Sequence, residues 1–254
     1  METPPAIPAT GQRPSSSLIG RLFNVFAAPG DVFEELRTGK PVVANWVVPL
    51  LLACLTGVIY AFVVFSQDSI LRSMREAREQ QLQKQVDAGK MTKQQADQAL
   101  EMMQRFGGPT IMKIFGSIGA VVVNVVMLFL GALVIWLLGR WCFKSQFPYM
   151  QSLEATGLAG MINVLGGIVM MLLAVMMGSM TMTPGPVLLV HEFDPANKVH
   201  RLLGQLNLIT IWYIGVLVLG LSKLGRVSYG KAAVWLFGIW ATLVALFTLI
   251  RLGG

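Results

Sequence analysis

Residues 44–65 read ANWVVPLLLACLTGVIYAFVVF, 22 residues with no charged side chain. As a helix they rise roughly 33 Å, enough to cross a hydrocarbon core of about 30 Å. Trp46 and Tyr60 stand towards the two ends, as interfacial aromatics do, and Pro49 predicts a kink in the first turns that neighbouring helices can absorb. Working outward, further apolar runs occupy 114–138, 153–177, 206–221 and 232–252. The whole chain of 254 residues is 54% hydrophobic and 13% charged, with a mean hydropathy of +0.63. A soluble domain carries about twice that charge, and a disordered chain is poor in apolar residues. The expected fold class is therefore all-α, a polytopic membrane protein with five transmembrane helices, its termini on opposite sides.

The segments between the runs differ in kind. Residues 1–17 hold four of the twelve prolines and no apolar stretch, which predicts a mobile tail rather than a cleavable signal peptide. Residues 18–43 are expected to hold interfacial amphipathic helices: the stretch 18–28 places Leu18, Ile19, Leu22, Phe23, Val25 and Phe26 near helical spacing and is too short to span, so it should lie in the headgroup plane. Pro29-Gly30 should break it, and Asp31 with Glu34 should cap a second short helix. Residues 67–107 hold thirteen of the thirty-three charged side chains. Asp87-Ala88-Gly89-Lys90 reads as a helix stop, and Thr92 with Gln95 as a capping box. A water-exposed helical hairpin is expected there, as a solvated spacer or as a docking surface for a partner. Residues 44–252 thus form one five-helix membrane domain carrying this hairpin as an insert.

The net charge of +7 does not indicate nucleic acid, because the basic residues flank apolar runs instead of clustering on one face. Arg140 with Lys144, and Lys223 with Arg226 and Lys231, lie in short connections and place those on the cytoplasmic side, with the N-terminus inside and the C-terminus outside.

Catalytic residues, metal and cofactors are not expected. No span carries a charge near its centre; Glu154 and Lys231 stand at span ends, where they can reach the interface as anchors. His191, Glu192, Asp194 and His200 share a loop without metal-site spacing, and Cys54 and Cys142 have no ligand neighbours. The neutral polar residues Asn124, Asn163, Asn207 and Thr210 admit two readings: helix-to-helix hydrogen bonds, or the lining of a polar path in a small transporter or channel. Small-residue pairs such as Gly116/Ala120, Ala155/Ala159 and Thr156/Gly160 allow close helix approach.

Two stretches carry a resemblance. Val25–Leu36, VFAAPGDVFEEL, supplies Pro29, Phe33 and Leu36; the C-terminal half supplies Trp212, Gly220-Leu221-Ser222 and Lys231-Ala232. Together they resemble bacterial Yip1-domain membrane proteins over residues 20 to 252. The resemblance implies a non-enzymatic integral membrane protein without cofactors. Eukaryotic relatives bind small GTPases of the Rab type; some bacterial members are thought to be accessory partners of membrane exporters. The charged hairpin departs from the compact loops of the eukaryotic members. The expectation is a scaffold or accessory protein of a bacterial inner membrane. Its partners would be the lipid bilayer, another integral membrane protein such as an exporter, and a second copy of the chain. Pro29, Phe33, Trp212, Gly220, Ser222, Lys231, Ala232 and Gly160 are the expected packing positions.

Overall fold

The computed structural model describes residues 16–180, 182–190 and 197–250. Five helical units are long and apolar enough to cross a membrane, and no strand occurs among the described residues. The chain opens with α1 (Leu18–Ala27) and α2 (Pro29–Thr38). The first span is α3 (Ala44–Val64), and the charged hairpin is α4 (Asp68–Asp87) with α5 (Lys93–Phe106). The second span is α6 (Pro109–Leu137), closed by a π-type turn at Leu138–Cys142. The third is α7 (Tyr149–Ala159) continued by α8 (Met161–Met177), with Gly160 between them. A short α9 (Lys198–Gln205) precedes the last spans, α10 (Leu208–Gly225) and α11 (Tyr229–Ile250). The expected loop histidine His191, with Glu192 and Asp194, lies outside the described residues, as do residues 1–15 of the expected tail and 251–252 of the expected last span.

Alternation of the spans creates two ends. One carries α1, α2, the 143–148 connection and the turn at 226–228; Ser145 Oγ donates to the Gly225 carbonyl across it at 2.7 Å. The other carries the hairpin, the turn Pro186–Leu189 and α9, and there the Leu208 N–H donates to the Pro184 carbonyl at 2.9 Å. The main core sits at the first end: Val25, Val32 and Phe33 meet Ile135, Leu158, Ile162, Val218, Leu221 and Ala232. A smaller core at the hairpin end joins Val64, Ile70 and Ala174. The membrane-length helices keep many large apolar residues on their outer faces, among them Leu51, Val122, Met127 and Leu243. In hydrocarbon that exposure carries no hydrophobic penalty, so small residues and polar contacts decide the packing instead.

Two local expectations change. The helix α1 does not lie apart from the bundle: it buries Leu22 and Val25 in the main core and leaves Ile19 and Phe23 outside. The helix α2 begins at Pro29 rather than at Asp31 and has no side-chain cap. A proline at the first helical position has no N–H to strand and a φ already helical, so Pro29 both follows the end of α1 at Ala27 and starts α2 two residues earlier than expected. Glu34 pairs with Arg37 instead of capping. In the hairpin, Thr92 and Gln95 do form the reciprocal capping box and Gly89 takes φ +67°.

Candidate functional site

A chain of polar contacts is buried where α1, α2, α3 and α7 meet. Every residue from Gln151 to Ala159 is buried, which makes α7 the central helix of that end. Glu154 projects from it and is completely enclosed. Its Oε1 accepts from the Val42 N–H at 2.6 Å and from Asn45 Nδ2 at 2.7 Å. Val42 lies just before α3 and Asn45 in its first turn, so the carboxylate sits at the N-terminal end of that helix, where the dipole favours an anion. Asn45, also fully buried, accepts from Arg21 Nη1 at 3.2 Å through Oδ1. Arg21 Nε stands 3.5 Å from Glu35 Oε2, which accepts from Ser16 Oγ at 2.5 Å. Gln151 Nε2 donates to the Leu36 carbonyl at 3.0 Å and closes the end of α2. One arginine, two amides and two carboxylates thereby link the four helices.

The interfacial anchor expected of Glu154 is therefore corrected. At α7 the helix is walled by α3, α6 and α10, and the small neighbours Ala155 and Gly157 bring those walls too close for the carboxylate to reach water. Glu154 Oε2, Ser152 Oγ, Thr156 Oγ1 and Trp46 Nε1 are buried without hydrogen-bond partners among the described residues. Beside this joint, Glu34 accepts from Arg37 and lies 3.8 Å from Lys223 Nζ. The Arg37 guanidinium holds the Glu34 carboxyl below the usual glutamate range, with slight burial acting in the opposite direction.

The neutral polar residues do not converge as a set. Asn124 and Asn163 line a small cleft with Thr156 and Tyr213, whose volume is about 50 Å³. That is room for one or two waters, since each takes about 30 Å³ in the liquid. Asn124 Nδ2 donates to the Ala120 carbonyl of its own helix, and Asn207 Oδ1 accepts from the Ile209 N–H to cap α10. Among the described residues neither makes the interhelical bond that its position suggests, and Thr210 does not line the cleft. His200 stands on α9. Among the described residues no three His, Cys, Asp or Glu side chains are grouped to share a metal ion.

The motif positions from the N-terminal and C-terminal parts do meet one another. The Phe33 ring and Ala155 Cβ lie 3.6 Å from where a Cβ on Gly220 would be, so α2, α7 and α10 close on that glycine. Ser222 Oγ donates to the Val227 carbonyl at 2.7 Å and holds the turn in which Arg226 takes φ +53°. Ala232 is fully buried and Lys231 is exposed. Trp212 stacks at a tilt on Phe26 of α1 with ring centroids 5.9 Å apart, and Pro29 opens α2. Compared with known families, the family model of the Yip1 domain matches residues 23–250.

The chain belongs to the Yip1 domain family. The match begins within α1 and covers α2, all five spans and the hairpin. No curated protein and no solved structure matched it. In this Yip1-domain chain Phe33 against Gly220 and Phe26 against Trp212 join the N-terminal helices to the bundle. Phe33, Gly220 and Ala232 serve internal packing and leave little for a partner to touch. The small-residue pairs are also used internally. A Cβ on Gly116 would lie 2.7 Å from the Phe65 ring, and one on Gly57 would lie 2.8 Å from Ala120 Cβ. Gly160 packs against its own helix, 2.8 Å from the Gly157 carbonyl by the same measure.

Arg21, Asn45 and Gly157 are parts of the joint that sequence reasoning missed. One signal was available: a glutamate followed by Ala155, Gly157 and Ala159 heads a helix too small-sided to stand at a lipid boundary.

Proposed function

We propose that this Yip1-domain protein is a non-enzymatic membrane scaffold or accessory subunit that meets its partner, another integral membrane protein, through the 67–107 hairpin and the outer face of α1. The observation that carries the reading is how the hairpin is mounted. Its base is pinned by Ile70, fully buried against the ends of α3 and α8, while most of its other residues face outward. A spacer needs only to connect the ends of α3 and α6. Those ends are already adjacent, with Phe65 against Gly116. Two capped helices exceed that need. On α1, at the end of the bundle opposite the hairpin, Ile19 and Phe23 are about 70% exposed and offer an apolar contact.

Because Gly220 is enclosed by this chain's own helices, a leucine there tests folding rather than docking. The docking test is a photo-reactive residue at Met102, on the outer side of α5, in living cells. The expected result is a crosslinked adduct with one integral membrane protein, an exporter subunit being the first candidate. Co-purification of that protein with the unlabelled chain should be lost when residues 75–104 are replaced by a short Gly/Ser linker, while the shortened chain still inserts. An adduct pattern identical to that of a photo-reactive residue at Leu243 on the lipid face would overturn the reading.

For orientation we propose the N-terminus in the cytoplasm. Arg21, Arg37, Lys40, Arg140, Lys144, Lys223, Arg226 and Lys231 all belong to the α1–α2 end, mostly in short connections, where basic residues favour the inside. Cys142 is exposed at that end and Cys54 lies within α3. A membrane-impermeant maleimide should therefore label Cys142 only after cells are permeabilised. Labelling of intact cells would reverse the orientation.

A further inference from the structure

We propose that the cleft between the hairpin and the start of α6 is a binding site for one anionic phospholipid, its phosphate held by Arg72, Arg75 and Arg78. The cleft has a volume of about 610 Å³ and is closed by α4 on one side, the end of α5 on the other and Gly107–Met112 behind. Its floor is apolar, with Leu71, Met103 and Met112, and its rim carries the three arginines, with Asp68 and Glu79 at the two ends of the row.

Position in the membrane selects a lipid. The span α3 has 21 residues, a rise of roughly 32 Å that matches a core of about 30 Å. The 29-residue α6 rises roughly 44 Å, so it overshoots the core by about two to three turns. Gly116 lies level with Ala61 and Phe65 at the end of α3, so the overshoot includes Pro109–Met112. Those residues line the cleft, which therefore stands at headgroup depth. Phe115, 69% exposed, follows Met112 by one turn on α6 and leads from the floor of the cleft to the lipid-facing surface, a path for an acyl chain.

Charge selects the headgroup. Arg72 Nε donates to the Asp68 carbonyl at 3.3 Å and Arg78 Nη1 to Gln81 Oε1 at 3.1 Å, both uncharged acceptors. Among the described residues none of the three arginines takes part in an ion pair, although acidic side chains share their helix. Three guanidiniums against two carboxylates leave a net positive rim. The planar fork of an arginine matches phosphate oxygens bidentately. The proposal does not depend on a protein partner at the hairpin.

The test is native mass spectrometry of the full-length protein in detergent, titrated with phosphatidylglycerol or with phosphatidylcholine of the same chains. Phosphatidylglycerol should be retained at least five-fold more strongly, one molecule per chain. The triple variant Arg72→Gln, Arg75→Gln, Arg78→Gln should lose that preference. The triple variant Lys84→Gln, Lys90→Gln, Lys93→Gln, with the same loss of charge elsewhere on the hairpin, should keep it. Equal retention of the two lipids would mean general lipid contact and overturn the proposal. So would displacement of the lipid by millimolar inorganic phosphate, or an arginine variant that binds as the unmodified protein does.

Discussion

Replacing Glu154 by leucine should lower the melting temperature of the detergent-solubilised protein more than any other polar change in the chain. Leucine fills a similar volume but accepts nothing, so Asn45 Nδ2 and the Val42 N–H lose the oxygen that lies 2.7 and 2.6 Å away. A stranded buried donor costs on the order of 1–3 kcal/mol. Asn45 is fully enclosed, so water cannot replace the carboxylate, and a total loss of roughly 3 kcal/mol is expected. Glutamine keeps an oxygen at the same place and should lie within about 1 kcal/mol of the unmodified protein. Removing both partners together, Asn45→Leu with Glu154→Leu, should cost less than the two single changes added, as it does for groups in one network. The measurement is thermal unfolding followed by circular dichroism. A Glu154→Leu protein that melts like the unmodified one would show that the joint contributes nothing to stability.

Gly157→Ala is the second large effect, and it comes from a single methyl group. A Cβ there would lie 2.5 Å from Trp46 Cα, 2.6 Å from Trp46 Cβ and 3.1 Å from the Asn45 carbonyl. The nearest obstacle is backbone, which cannot rotate aside, so α3 and α7 must separate. Overpacking of this kind costs about 1–3 kcal/mol, more than the ~1 kcal/mol that alanine gains over glycine as a helix former. Separation would also draw Asn45 from Glu154, so Trp46 fluorescence should shift along with the melting temperature. At Gly119 and Gly215 a Cβ would meet nothing within 4 Å. Alanine at either should be neutral or mildly stabilising. Equal effects at Gly157 and Gly119 would mean that the close approach of α3 and α7 is not limiting.

The spans were legible in the sequence because bilayer thickness imposes a length and an apolar composition that few alternatives share. The hairpin's turn was legible for a local reason: Gly89 at positive φ and the Thr92–Gln95 box are settled by residues within four positions of each other. The α1–α2 pair was only half legible. Its apolar stripe was visible, but a headgroup layer and a helical bundle both accept such a stripe, and the sequence does not say which is nearer. Asn207 shows the same limit. An asparagine before an apolar run suits both a span interior and a helix cap, and only the Ile209 N–H beside it decides for the cap.

The sequence by itself determined that this is a five-span helical membrane protein with an unevenly charged surface, because hydrophobic length and charge distribution are sums over neighbouring residues. Its resemblance to Yip1-domain proteins was legible in the same way, from short runs of adjacent residues. Only the tertiary structure decided what Glu154 does. The residues that satisfy it, Asn45 and Val42, stand more than one hundred positions away, and Arg21 reaches it only through Asn45. A carboxylate at the head of a span is an anchor if lipid lies beside it and a lock if another helix does. Which of the two it meets depends on how closely α3 and α7 approach, and that distance is set by Gly157, a residue with no chemistry of its own.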